Sequence, residues 1–173
     1  VTAHGRAMTP LPLHPRLAHM LLSAGRAAAT VAALMSGRDP LRGAPVDLTL
    51  RLEAMKDLRR FEQTRPYEVN RGALEQIRQE MRRLVKLAPD TQHLDTSEMA
   101  ALAYPDRIGL RRKGDAPRYV LSGGKGAALP DGDPLASARL IVATDLDGNP
   151  REARIRAAVQ ISDAQIRALF KDQ

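Results

Sequence analysis

Apolar residues recur with a helical period from the start of the chain to residue 103. The first predicted helix begins at Pro15, because proline suits the first helical position, and it ends near Gly25. Its apolar face is formed by Leu17, Met20, Leu21 and Ala24. Pro10, Pro12 and Pro15 lead us to expect no helix upstream of this point.

Two further helices are predicted before residue 67. An alanine-rich stretch over 26–35 forms one helix, which stops at Ser36-Gly37. Asp47 is a plausible N-cap for the next, and the apolar stripe behind it continues until the break at 64–66.

The strongest helical signal follows Asn70, a second plausible N-cap. Apolar residues are spaced there by three and four, which places one stripe on a single helix face: Leu74, Ile77, Met81, Leu84 and Ala88. Pro89-Asp90 ends this helix. A short helix over 97–103 begins behind Asp95 or Thr96 and is closed by Tyr104-Pro105.

After Pro105 the period changes from that of a helix to that of a strand. Short apolar or alternating runs, separated by glycine-rich turns, predict strands at 108–110, 119–121, 127–129, 140–143 and 153–159. Ser162 then caps a last helix that ends near Phe170. A helical part followed by a small β-barrel or meander makes the predicted fold class α+β.

Composition narrows the classes of function. The 173 residues include no Cys, which excludes disulfides, thiolate zinc sites and cysteine nucleophiles and fits a reducing compartment such as the cytoplasm. No apolar run approaches the roughly 20 residues that a membrane-spanning helix needs, so no membrane partner is expected. The net charge of +7 favours a polyanionic partner.

The densest positive charge lies in one short stretch. Residues 104–126 carry six basic and two acidic groups. From this stretch we take five candidates for nucleic-acid contact: Arg107, Arg111, Arg112, Lys113 and Lys125. Two interpretations stay open, a groove for a nucleic-acid backbone and a solvated basic hairpin. Few aromatic residues are nearby, so contacts to phosphate and sugar are expected rather than base stacking.

Gly123-Gly124-Lys125-Gly126 resembles a phosphate-binding loop only superficially. A P-loop requires Gly-Lys-Ser/Thr leading into a helix, whereas a glycine follows Lys125 and a strand is expected next. We interpret the segment as a hairpin turn that needs positive φ. A weaker alternative is that its backbone amides and Lys125 touch a phosphate.

Other candidate chemistry fails on spacing. The run 145–149 looks like a calcium loop, but its glycine is one place early and Arg156 stands where a bidentate Glu is required. The four histidines, His4, His14, His19 and His93, lack zinc-helix spacing, so structural roles are expected. No nucleophile–base pair is recognisable, and neither a catalytic site nor a metal site is predicted.

Three segments together resemble a known family. They are residues 5–22, 102–109 and 119–127, which include Pro12-Leu13-His14-Pro15-Arg16-Leu17, Ala103-Tyr104-Pro105-Asp106-Arg107 and the loop Gly123-Gly124-Lys125-Gly126. They are similar to the region just after the second RecA-like domain in bacterial DEAH-box helicases of the HrpB type, and the resemblance covers nearly the whole chain. Where that pattern is expected to have Gly-Arg-Gly, this sequence has Gly-Lys-Gly.

The resemblance implies that this chain has three parts and that the ATP-hydrolysing RecA-like domains are not among them. Residues 1–45 would be a partial winged-helix domain, residues 46–103 a helical-bundle "ratchet" domain, and residues 104–173 an OB-like β domain. The ATP and Mg²⁺ of such a helicase would be bound by RecA-like domains, whose motifs this sequence lacks, so no cofactor is expected here. The first residue, Val1, reads as a cut within a longer polypeptide.

The resulting hypothesis is a non-catalytic accessory region of an ATP-dependent helicase, with RNA the expected substrate. It would form one wall of a single-strand channel opposite RecA-like domains of the same parent chain, and would be inactive as an ATPase alone. The alternative is a protein–protein interaction module without nucleic-acid binding, whose stripe Leu74, Ile77, Met81 and Leu84 docks a partner. The sequence does not indicate an oligomeric state.

Overall fold

The computed structural model describes residues 2–8, 13–90 and 94–171 and confirms the predicted α+β class. The helices are α1 (Ala3–Met8), α2 (Pro15–Ala24), α3 (Ala29–Ser36), α4 (Leu48–Lys56), α5 (Leu58–Thr64), α6 (Arg71–Leu87), α7 (Thr96–Ala103) and α8 (Asp163–Phe170). The strands are β1 (Leu41–Arg42), β2 (Glu68–Val69), β3 (Ile108–Arg111), β4 (Arg118–Leu121), β5 (Gly126–Ala128), β6 (Leu140–Leu146) and β7 (Glu152–Gln160). Single 3₁₀ turns cover Gly25–Ala28, Pro105–Arg107 and Pro134–Ser137.

Side-chain caps fix where most of these helices begin. The Asn70 side chain accepts a hydrogen bond from the amide of Ala73 at 3.0 Å. Asp95 and Ser162 each form a reciprocal capping box with the residue three places on, which satisfies two backbone donors that a helix start leaves open. These caps confirm the predicted starts of α6, α7 and α8.

Asp57 divides the helix predicted behind Asp47 into α4 and α5. Its backbone leaves the helical region (φ −151°, ψ 88°), and its side chain accepts from the amide of Arg60 at 3.1 Å. The apolar stripe continues across this break, so periodicity alone could not reveal it. An aspartate is a good N-cap, and here it starts a new helix inside an otherwise helical pattern.

Two expectations for the N-terminal segment were wrong. The first expectation was that no helix lies before Pro15. Helix α1 lies there, and the prolines do not interrupt it because it ends at Met8, upstream of the first of them. The second expectation was that no segment is long enough to span a membrane. The helical run Pro15–Ser36 is, by length and composition, apolar enough to cross one. Of its most apolar window, 67% is buried inside the protein, as in the core helix of a water-soluble domain, and alanines supply much of its apolar character.

The strands after Pro105 close into a five-stranded barrel in the order β3-β4-β5-β7-β6. Only β5 and β7 are parallel, and every other pair in the barrel is antiparallel. This arrangement is that of the OB-like barrel expected from the resemblance. The barrel interior is filled by Tyr119, Leu121, Ile141 and Ile155 with several alanines, and the Tyr119 hydroxyl donates to the carbonyl of Ala138 at 2.6 Å.

One aliphatic core joins the helices to the outside of the barrel. Residues of α2, α3, α6 and α7 pack in a single cluster with Val142 on β6, Val159 on β7 and Ile161. The core therefore continues across residues 103–104, where the secondary structure changes. The division into parts at 1–45, 46–103 and 104–173 stays a prediction.

A smaller cluster stabilises the α4–α5 corner. Leu41, Ala54 and Phe61 are buried together, and the two-residue ladder of β1 with β2 pairs Leu41 with Val69. The sequence analysis did not predict this ladder, because two residues are too few to show a period. It fixes the loop before α4 to the loop before α6.

We predict that Ile77→Ala lowers the free energy of unfolding by about 2–4 kcal/mol, since Ile77 is 2% exposed and packs against α3 next to Gly37. Val85→Ala, on the same helix but 37% exposed, is the matched control and should cost less than about 1 kcal/mol. Urea unfolding followed by circular dichroism measures both. Equal losses would contradict the packing described here.

Candidate nucleic-acid interface

The five predicted basic residues all lie around strands β3 and β4 of the barrel. Arg107 closes the 3₁₀ turn that leads into β3, and Arg111 is the last residue of that strand. Arg112 and Lys113 follow in the β3–β4 loop, while Lys125 lies in the hairpin between β4 and β5.

The structure divides these residues between two ends of the barrel. Arg111 pairs with Tyr119 at the start of β4, whereas Gly109 pairs with Leu121 at its end. The β3–β4 loop and the Lys125 hairpin therefore lie at opposite ends, separated by the length of a four-residue strand, on the order of 10 Å. Arg107 lies at the Lys125 end.

None of the five forms an ion pair with any carboxylate that the structure describes. Eleven other arginines each do. The sixth cation of the basic stretch, Arg118, is one of these and lies 3.2 Å from Glu152 of β7. The Nε of Arg111 is buried without a hydrogen-bond partner. The charge of the five candidates is thus not neutralised by a described carboxylate.

The glycine segment forms the predicted hairpin. Gly124 has φ +96°, a conformation that other residues rarely adopt. The amides of Gly123 and Gly124 donate to the carbonyls of Asp106 and Leu121, at 2.9 and 2.8 Å. These two donors are therefore occupied and are not available to a phosphate.

Three sequence segments that carried the resemblance meet at Asp106. Its carboxylate accepts two hydrogen bonds from the Arg16 guanidinium, at 2.6 and 3.0 Å. Its carbonyl accepts the Gly123 amide, and a Cβ on Gly123 would lie 3.2 Å from that oxygen. Arg16 also donates to the carbonyl of Ala103 at 3.2 Å. Helix α2, the entry to the barrel and the hairpin are thus tied together.

The Tyr104 ring is close to two guanidinium groups. The Cζ atoms of Arg16 and Arg107 are 5.1 and 4.8 Å from the centre of its ring, within the range of a cation–π attraction. Burial raises the pKa of the Tyr104 hydroxyl, although both arginines act in the opposite direction. The hydroxyl is therefore neutral at physiological pH.

A cavity of about 520 Å³, which we call the junction cavity, separates the α3–α4 segment from the barrel. Its charged and polar lining consists of Asp39, Arg51, Tyr104, Arg107, Thr144, Asp145 and Arg156. Asp39 pairs with Arg51 at 2.9 Å and Asp145 with Arg156 at 3.5 Å, which leaves Arg107 as its unneutralised cation among the described residues. The Thr144 hydroxyl is buried without a partner.

A second groove of about 840 Å³ lies beside β5 and β7. Arg118, Arg154 and Arg156 line it together with acidic side chains, and it shares Asp39, Arg51 and Arg156 with the junction cavity. The sequence analysis did not predict that Arg51 or Arg156 lines a cavity, because the walls of both spaces come from segments that are distant in the chain.

The remaining sequence candidates have local structural roles. Asp147 accepts hydrogen bonds from the amides of Asn149 and Arg154, at 3.2 and 2.9 Å, which shapes the turn interpreted above as a surface loop. His14 accepts from the amide of Arg16 at 3.2 Å and so caps α2. The rings of His4 and His19 are joined by a 2.8 Å hydrogen bond. His93 lies outside the described residues.

We predict that Asp106→Asn destabilises the protein at neutral pH by up to about 1 kcal/mol, since a partly exposed bidentate pair is lost. The hydrogen bond from Arg16 lowers the pKa of the Asp106 carboxyl below its unfolded value, so this stabilisation is complete above about pH 4 and is lost as the pH falls further.

Urea midpoints at pH 7, 4 and 3 test this, and the gap between wild type and variant should narrow on acidification. Asp90→Asn is the control, because Asp90 is fully exposed and lies 3.6 Å from Arg26. It should leave the midpoint unchanged at each pH. A gap that stays constant would show that Asp106 acts other than through its charge.

Comparisons with known proteins point to one kind of helicase. No protein-family model and no curated protein matches the chain. A crystal structure described as the E. coli DExH-box NTPase HrpB matches 99% of this chain with a TM-score of 0.72 and 27% sequence identity. One described as the Escherichia coli DEAH/RHA helicase HrpB matches 94%, with a TM-score of 0.67 and 27% identity.

These matches cover 20% and 19% of the two solved chains, so this chain spans about a fifth of their length. The α+β fold with a small barrel agrees with that similarity. The resemblance to HrpB-type DEAH-box helicases, inferred above from sequence motifs, is thereby confirmed over almost the whole of this chain.

Proposed function

We propose that this chain is a non-catalytic accessory region of an ATP-dependent helicase and forms one wall of its path for single-stranded nucleic acid, with RNA as the substrate. The observation that carries the proposal is the set of unneutralised basic residues on a barrel with OB-like strand order. In proteins with that fold, the face of the second and third strands and the loops beside it bind oligonucleotides.

The corresponding face here lies on β4 and β5. The β3–β4 loop beside it carries Arg112 and Lys113, and the β6–β7 loop carries the exposed Arg151. Opposite charges attract over about a Debye length, so cations on both loops favour a phosphate backbone that crosses between them. Contacts of this kind are independent of sequence.

An apolar pair lies within this basic frame. Leu110 and Val120 are cross-strand neighbours on the outer face and are 47% and 44% exposed. Apolar surface between cations suits the sugars and bases of a single strand, whose phosphates would contact the surrounding Arg112 and Lys125. This explains why large aliphatic side chains are left in solvent at this place.

In the proposed mechanism this chain positions the nucleic acid and carries out no chemical step. In the proposed parent, RecA-like domains bind ATP and Mg²⁺ and move along the strand, and they are the partners of this region in the cytoplasm. The barrel presents a fixed surface that holds the strand between steps. The chain alone is then expected to show no ATPase activity above background.

The burial of the apolar stripe of α6 argues against the alternative that this stripe docks a partner protein. Leu74, Ile77 and Leu84 are each 2% exposed or less and belong to the core or its edge, and Met81 is half-buried against it. A buried stripe stabilises the fold and is not available to a partner.

We predict that Arg111→Ala with Arg112→Ala weakens binding of a labelled single-stranded RNA at low salt and flattens its salt dependence. Each lost phosphate contact should reduce the slope of log K against log salt by about 0.7. Fluorescence anisotropy at several KCl concentrations measures both. Arg112→Ala with Lys113→Ala is a second variant, because the buried Nε of Arg111 could also affect folding.

The matched control is Arg82→Ala with Arg83→Ala on α6. These arginines are paired with Glu75 and Glu80, so the change also removes two positive charges but from neutralised positions. RNA binding should be altered much less than in the barrel variants. Equal weakening would mean that net charge alone governs binding, and unchanged binding by folded barrel variants would refute the assignment.

We further predict that Lys125→Arg tightens RNA binding by about two- to tenfold. A guanidinium can donate two parallel hydrogen bonds to a phosphate, whereas an ammonium acts as a point charge. The same anisotropy titration measures the change, with Lys86→Arg on α6 as the control. A lower affinity for Lys125→Arg than for wild type would place Lys125 away from the strand.

A further inference from the structure

The junction cavity presents one positive charge that nothing in the described chain neutralises. Arg51 and Arg156 are each paired with an aspartate, while Arg107 forms no described ion pair. Its neutral contacts are the Tyr104 ring at 4.8 Å and the carbonyl of Thr144 at 3.5 Å. A ring and a carbonyl hold a guanidinium in place without cancelling its charge.

The residue best placed to neutralise Arg107 is its neighbour Asp106. The two interact electrostatically, since Arg107 contributes to the lowered pKa of the Asp106 carboxyl. Both carboxylate oxygens of Asp106 are nevertheless taken by the fork of Arg16, at 2.6 and 3.0 Å. Arg16 thus occupies the anion that would otherwise be free to pair with Arg107.

We propose that Arg16 and Tyr104 are positioning residues that keep the Arg107 guanidinium fixed and without a carboxylate partner at the junction cavity, where it binds a phosphate of the single strand. Arg16 acts by engaging Asp106, and Tyr104 acts by supporting the guanidinium with its ring. This inference rests on the proposed function and deepens it, because it names the residues that control one phosphate contact.

Two variants that break the same ion pair should have opposite effects on binding. Arg16→Ala frees the Asp106 carboxylate to pair with Arg107, so RNA affinity should fall by about tenfold at low salt, as for Arg107→Ala. Asp106→Asn leaves no competing anion, so affinity should equal or exceed that of wild type. Arg16→Ala with Asp106→Asn should recover the affinity that Arg16→Ala loses.

A structural role for the pair would not give this pattern. If the ion pair served only to join α2 to the barrel, Arg16→Ala and Asp106→Asn would weaken binding alike, and the double variant would recover nothing. Circular dichroism and urea unfolding of each variant confirm that folded protein is compared. Equal weakening by the two single variants, or a double variant that recovers no affinity, would overturn the proposal.

Variants of Tyr104 keep the test decisive if Arg16→Ala does not fold. Tyr104→Leu should weaken RNA binding and reduce the salt slope by about 0.7, while Tyr104→Phe, which retains the ring, should restore most of both. Combined with Arg107→Ala, Tyr104→Leu should add no further loss, because both act on one contact. Losses that multiply, or wild-type binding by Tyr104→Leu, would overturn the role of Tyr104.

The experiment uses the full chain and a labelled oligouridine as the probe, in anisotropy titrations over a range of KCl concentrations. Absence of salt-dependent binding by the wild type would refute the proposed function itself. Salt-dependent wild-type binding that Arg107→Ala leaves unchanged would leave the proposed function standing and refute this inference alone.

Discussion

The apolar outer face of strands β6 and β7 is the constraint on which the rest of the structure depends. A small barrel can bury only its interior, so Val142 and Val159 on the outside require a cover. Helices α2, α3, α6 and α7 supply it with leucine, alanine and methionine, since the chain has only two Phe and no Trp.

Local signals made much of the fold predictable, while contacts between distant segments were not. The caps Asn70, Asp95 and Ser162 and the glycine hairpin act within a few residues, so their effects are readable from sequence. The break at Asp57 interrupts a stripe that continues on both sides, and the β1–β2 ladder has only two residues per strand, so neither leaves a periodic trace.

The candidate interface shows the same limit. Charge density along the chain indicated a stretch of basic residues, five of which form no ion pair among the described residues, and their role in binding stays a prediction. It could not distinguish Arg118 from the other basic residues of the stretch. Arg118 is neutralised by Glu152, which lies on a strand that is adjacent only in the folded barrel. Nor could it indicate that Arg16 and Asp106, ninety residues apart, form the ion pair at which the motif segments meet. Ion pairs across a fold depend on topology, which spacing in sequence does not encode.

Closure of the barrel also restricts how a partner can be recognised. Each of its five strands is hydrogen-bonded on both sides, so the barrel offers no open edge to which an extended peptide could add as another strand. The barrel must therefore recognise a partner through side chains that project from its outer surface. Its affinity is then tunable by single exchanges of surface residues, with the backbone scaffold left intact.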